Sequence, residues 1–98
     1  LDRQFKKMIK NKEERIKFVL AAYNSGIAHV LDARRLAKKY DRNPNLWDDN
    51  VDYFMKNKSN PEYFTDSVVQ HVYSNGVVSF NFVNDILNRY EHYKNVIE

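Results

Sequence analysis

Phe18-Val19-Leu20-Ala21-Ala22-Tyr23-Asn24-Ser25-Gly26 reads as a helix running into its own terminator. Val19, Leu20 and Tyr23, with Ile16 ahead of them, recur at helical spacing and form an apolar stripe. Gly26 supplies the backbone freedom that ends a helix at little steric cost. Upstream, Asn11 and Glu14 stand three apart as a capping box, each side chain satisfying a donor at the other's end, so this helix starts at Asn11. Before it, Leu1, Phe5, Met8 and Ile9 predict a first helix over about residues 2 to 10. Downstream, Ser25 is the expected cap of a helix over about 26 to 40, with Ile27, Val30, Leu31 and Leu36 on it and Asp32 facing Arg35.

The pattern continues to the end of the chain. Asp41 to Asn45, with Pro44, closes the third helix, and a further helix over about 47 to 56 turns Trp47, Val51, Phe54 and Met55 inward. Asn60, Pro61 and Glu62 give a cap, a proline at the first helical position and an acidic first turn. Val68, Val69, Val72 and Tyr73 are strand-prone, so residues 67 to 75 are expected to be extended. From Val77 to Val96, Phe80, Val83, Leu87, Tyr90 and Tyr93 repeat at helical spacing and predict the longest helix. The chain is therefore all-α, with about five helices and one short extended segment.

Composition agrees. The 98 residues are 43% hydrophobic and contain only two glycines and two prolines, too few turn residues for a sandwich or barrel. No run approaches the roughly 20 apolar residues that span a bilayer, and no signal pattern opens the chain. With no cysteine, disulfides, thiolate metal sites and thiol nucleophiles are excluded. The net charge of +3 is concentrated in Arg3, Lys6, Lys7, Lys10, Lys12, Arg15 and Lys17. Without a helix-turn-helix or aromatic-basic signature this stripe reads as a solvated helix face, and nucleic acid is not an expected partner. His29, His71 and His92 lack the close pairing of a metal site, and neither a metal nor another cofactor is expected.

Ala21-Ala22-Tyr23-Asn24-x-Gly26, followed by His29-Val30-x-Asp32-Ala33-Arg34-x-Leu36-Ala37, resembles the lysozyme-like lytic murein transglycosylases of glycoside hydrolase family 23, in particular their F-type branch. Pro44-x-x-Trp47, Pro61-Glu62-Tyr63-Phe64, Val72-Tyr73-x-x-Gly76 and Phe82-Val83-x-x-Ile86-Leu87-x-x-Tyr90-x-x-Tyr93 continue the resemblance in order. It implies that residues 1–98 are the C-terminal part of a lysozyme-like domain in the bacterial cell envelope, acting on peptidoglycan glycan strands. It further implies cleavage between N-acetylmuramic acid and N-acetylglucosamine with formation of a 1,6-anhydro end.

In that family one glutamate, in a Glu-Ser motif, is acid and then base, and no such motif occurs in this chain. The expectation is that the chain lacks the catalytic glutamate, has no activity alone, and packs against a missing N-terminal part of the same domain, or forms a homodimer through apolar faces left exposed. Glu13 and Glu14 are poor substitutes in an exposed first turn. A noncatalytic glycan-binding module and a purely structural helical domain are the competing readings.

The resemblance places three substrate-binding candidates. Tyr23 lines the cleft in the family, and reads equally as a core tyrosine on the stripe with Val19 and Leu20. Asn24 can bind acetamido groups or satisfy backbone groups at a helix end. Tyr73 can stack on a sugar or be an ordinary buried tyrosine. Asn75, Val78 and Phe82 depart from the family's usual Arg, Glu and Tyr, which strips polar groups from the cleft wall. Trp47, Tyr53 and Phe54 read as a sugar platform or, better, as core; Asp48, Asp49 and Asp52 read as a solvated acidic edge.

Overall fold

The computed structural model describes residues 2–58, 60–70 and 76–97, and of residues 2, 76–79, 90 and 92–97 it describes the backbone alone. Among the described residues there are six α-helices and no strand: α1 (Asp2–Lys6), α2 (Lys12–Ser25), α3 (Ile27–Lys39), α4 (Asp52–Asn57), α5 (Pro61–Phe64) and α6 (Gly76–Ile97). The all-α expectation holds, and α6 is the longest helix, as its periodicity predicts.

Helix α1 is shorter than expected. It ends at Lys6, and the chain turns through bonds from Met8 N and Ile9 N to the Phe5 carbonyl (3.0 and 2.8 Å), because Asn11 must be extended (φ −71°, ψ 120°) to cap α2. Phe5 and Ile9 are still buried. The capping box is half formed. Asn11 Oδ1 accepts from Glu14 N at 3.0 Å, but the Glu14 carboxylate reaches across the molecule instead, accepting from Trp47 N at 2.7 Å and from Lys17 Nζ at 2.8 Å. Glu14 is thus largely covered rather than exposed as expected, its side chain retaining 15% of its accessibility.

The inward face of α2 also differs from the expected stripe. Arg15, Phe18, Ala21 and Ala22 are buried, whereas Ile16 and Tyr23 are 40% and 77% exposed and Val19 and Leu20 are half-buried. The stretch from Ile16 to Tyr23 is apolar on nearly every side, so spacing cannot choose the face; the two alanines do, by letting α3 approach. Arg15, placed by sequence on a solvated stripe, lies buried with Nη1 donating to the Ile9 carbonyl (3.1 Å).

Trp47 through Val51 is a wide turn rather than the first part of a regular helix, with Asp48 extended and Asp49 at φ 62°. It nevertheless drives Trp47 and Val51 fully into the core, followed by Phe54 and Met55 from α4. The Trp47 ring meets Phe18 edge-on at 5.3 Å, a geometry worth about 1 kcal/mol beyond the area buried. Asn60 caps α5 as expected, its Oδ1 accepting from Glu62 N at 3.0 Å. Residues 67–70 are not extended: Val68 N and Val69 N turn back onto Asp66 Oδ1 and the Asp66 carbonyl, both at 3.1 Å. The remainder of that expected segment lies outside the described residues. Helix α6 packs on both α2 and α4, with Val83 fully buried and Phe82 and Leu87 half-buried against the core.

A charged cluster binds these layers. Asp32 of α3 is fully buried and pairs through Oδ2 with the equally buried Lys58 Nζ at 2.8 Å. Its Oδ1 accepts from Arg35 Nη2 and from Gln70 N, the latter at 2.9 Å. Lys58 Nζ also lies 2.6 Å from His29 Nδ1, and Arg35 Nε donates to the Val68 carbonyl at 3.1 Å. Burial pushes the Lys58 pKa down, against the pull of Asp32.

Removing one member of a buried pair strands the other. Asp32→Asn is therefore expected to cost about 3–5 kcal/mol in urea denaturation, and adding Lys58→Met should recover part of that loss; a double variant no more stable than the single would show the pair is uncoupled. Asp66 is a second carboxylate held by several partners, its side chain largely covered while its partner Lys39 reaches solvent. Its contacts with Lys39 Nζ (2.8 Å to both oxygens), Val68 N and Tyr40 Oη hold its carboxyl below the ordinary value. A depressed folded pKa adds stability above the unfolded value and loses it as pH falls through the folded one. Asp66→Asn should lower the melting temperature at neutral pH, with the gap from the parent closing on acidification; a gap constant with pH would contradict this.

Candidate functional site

Tyr23 and Asn24 sit together at the elbow between α2 and α3. Ala21 and Ala22 are buried just before them, so the next two residues emerge on the outer side as the helix turns, and both are exposed. The elbow is a single residue long. Gly26, at φ 99° and ψ 142°, ends α2 and starts α3, its N–H donating to the Ala22 carbonyl at 2.8 Å. Ser25 does not cap α3 as the sequence suggests: its hydroxyl folds back on the Ala21 carbonyl (2.9 Å), because a one-residue link leaves it inside α2.

Exposure decides one of the two readings of Tyr23. At 77% exposed it is not a core tyrosine, and its ring presents an aromatic face to solvent. Tyr73 lies outside the described residues, as do His71 and Asn75, and the side chains of Val78 and His92 are likewise not described. Of the three candidates the structure thus places two, side by side. Phe82 is half-buried, packed against the core.

The aromatic residues near Trp47 do not form a platform. Trp47 is fully buried and Phe54 is 2% exposed; Tyr53 alone of the three is well exposed, at 41%. Trp47 Nε1 is buried without an acceptor among the described residues. Tyr53 Oη and Tyr63 Oη are 3.0 Å apart, and that bond, with burial adding to it, pushes the Tyr63 pKa up to about 12. The acidic edge is solvated at Asp48 and Asp49, both exposed although Asp48 also pairs with Lys17 at 2.9 Å; Asp52 alone departs from that reading, being half-buried with its pKa raised, chiefly by burial. Sequence spacing exposed Asp32–Arg35, three apart on one helix, but held no signal for Lys58 or for the Glu14–Trp47 bond, whose partners lie on other elements.

No family model matches the chain. Curated proteins do. The membrane-bound lytic murein transglycosylase F of Yersinia pestis (strain Pestoides F) is 40% identical over 79 residues, or 81% of the chain. That of Sodalis glossinidius is 40% identical over the same share, and that of Pectobacterium atrosepticum 39% identical over 76% of the chain. By sequence, the chain is a homologue of one segment of lytic murein transglycosylase F. It spans about 15% of the length of these relatives. The identity and the ordered motifs lead to the same transglycosylases, and the motif residues acquire structural jobs here: His29 and Asp32 meet the buried Lys58 ammonium, and Ala21, Ala22 and Gly26 build the elbow that carries Tyr23.

The elbow's conformation is the testable part. A Cβ at Gly26 would meet no atom within 4 Å, so only backbone strain opposes one. Gly26→Ala should cost about 1–3 kcal/mol in denaturant unfolding without a packing change elsewhere; an unchanged midpoint would mean that the positive φ is not needed.

Proposed function

We propose that this chain forms part of a peptidoglycan-cleaving lytic transglycosylase domain, in which Tyr23 and Asn24 supply one wall of the glycan cleft and the acid is not among this chain's own glutamates. The exposed Tyr23 ring beside Asn24, on an elbow held by buried alanines, is the observation that carries this reading. A pyranose presents an apolar face to an aromatic ring, and the carboxamide of Asn24 can donate to and accept from an acetamido group.

The chemistry implied by the resemblance needs one carboxylic acid. It gives its proton to the glycosidic oxygen as the bond to the muramic C1 breaks; the sugar's own 6-hydroxyl then closes on C1, returning its proton to the carboxylate, and no water is consumed. Such an acid must be held neutral by partly apolar surroundings. Among the described residues no glutamate meets that requirement. Glu14 is held by Lys17 and the Trp47 N–H, and Glu13, Glu62 and Glu91 are exposed.

The relatives are named membrane-bound, which supports placement of the intact protein at the cell envelope. Among the described residues no helix is long and apolar enough to cross a membrane. The apolar edge at Ile16, with Val19 and Leu20 half-buried beside it, suits packing by the rest of such a domain.

Incubation of the chain with purified peptidoglycan should yield no anhydro-muropeptides but should retain the chain on the insoluble polymer. Tyr23→Ala should weaken retention several-fold with little change in melting temperature, since the ring is mostly in solvent. Anhydro products from the chain alone would overturn the assignment of the acid, and retention indifferent to Tyr23→Ala would overturn that of the wall.

A further inference from the structure

A concavity lies on the face formed by α4 and the start of α6. It encloses about 330 Å3 and is lined by Arg42, Asp49, Asp52, Tyr53, Lys56 and Phe80. Its lining mixes two cations, two carboxylates and two aromatic rings. The Arg42 guanidinium stands 5.7 Å from the Tyr53 ring centre, and Lys56 Nζ stands 5.0 Å from that of Phe80. Arg42 Nη1 also donates to the Asp49 carbonyl, so the guanidinium is held over the ring while Asp49 keeps a left-handed backbone, φ 62°.

These pairings narrow the chemistry of a guest. Each ring is approached by a cation, so a neutral sugar stacking there would have to displace a cation–π contact. A simple anion would meet Asp49 and Asp52, and a simple cation would meet Arg42 and Lys56. A guest carrying both charges close together meets neither difficulty. Among the described residues no cation pairs with Asp52, a half-buried carboxylate with much to gain from an incoming ammonium, and no carboxylate pairs with Lys56, an exposed ammonium. The volume suits one or two amino-acid residues.

We propose that this cleft binds the zwitterionic end of an amino acid or short peptide, with its ammonium at Asp49 and Asp52 and its carboxylate at Lys56 and Arg42. The assignment uses residues absent from the Tyr23–Asn24 wall and does not depend on the transglycosylase reading.

The test is a titration of the chain followed by amide chemical shifts, with alanyl-alanine as the zwitterionic probe. N-acetyl-alanyl-alanine, alanyl-alanine amide and N-acetylglucosamine serve as carboxylate-only, ammonium-only and neutral-sugar probes. Alanyl-alanine should give saturable shifts confined to residues 42, 49–56 and 80, and both singly charged probes should bind roughly tenfold more weakly, the loss expected for one charge-assisted hydrogen bond. Lys56→Gln, at an exposed position, should keep the parent's amide dispersion and weaken alanyl-alanine by a similar factor, as should Asp52→Asn. Equal binding of a singly charged probe, preferential saturation by N-acetylglucosamine, absence of saturable shifts, or undiminished affinity in Lys56→Gln would each overturn the proposal.

Discussion

The buried carboxylate of Asp32 is the constraint on which the rest of the structure depends. A charge removed from water must find partners, and this one gathers them from three places: Arg35 one turn along α3, Lys58 at the end of α4, and the backbone of Gln70 beyond α5. Each partner closes a different connection. Lys58 anchors the end of α4 against α3, Gln70 brings the segment after α5 back to the same helix, and Arg35 extends the attachment through the Val68 carbonyl. His29 Nδ1 completes the coordination of the Lys58 ammonium. Such a cluster adds direction to a core that apolar contacts alone would leave less specific, because a helix that slides or rotates leaves charge unpaired.

Around that cluster, side-chain size sets the positions of the helices. Ala21 and Ala22 of α2 and Val30, Ala33 and Ala37 of α3 belong to the same buried core, where the two helices pack together and are joined by Gly26 alone. The large side chains lie elsewhere, where Phe5, Phe18 and Trp47 fill the space between α1, α2 and the wide turn. The Glu14 carboxylate fixes that turn by accepting from Trp47 N. Tyr23 and Asn24 are exposed as a consequence of this arrangement: with the small residues turned inward, the polar and aromatic ones at the helix end face out.

Local signals therefore suffice where one element decides them. Asn11 and Asn60 cap the helices they precede, Gly26 ends α2, and the spacing of Val83 and Leu87 marks α6, because caps, turns and periodicity act within a few residues. Residue preferences do not suffice where packing or a competing turn decides. Ile16 and Tyr23 lie on the apolar stripe yet are exposed, Ser25 bonds back into α2 rather than capping α3, and the strand-prone Val68 and Val69 form a turn. For Ile16 and Tyr23 the deciding neighbours belong to other elements, whereas Ser25 is held inside α2 by the one-residue link at Gly26, and Val68 and Val69 by the turn onto Asp66.

By itself, the sequence determined that the chain is helical, where most helices start and stop, and which proteins it is related to, since composition, capping residues and ordered motifs are one-dimensional properties. The tertiary structure alone decided which side of α2 is buried, that Glu14 bonds across the molecule rather than within its helix, and that Lys58 meets Asp32. It also decided that two cations and two carboxylates share a cleft with Tyr53 and Phe80. The physical reason is the same in every instance: these are contacts between residues far apart in the chain, and burial and pairing are settled only when helices pack.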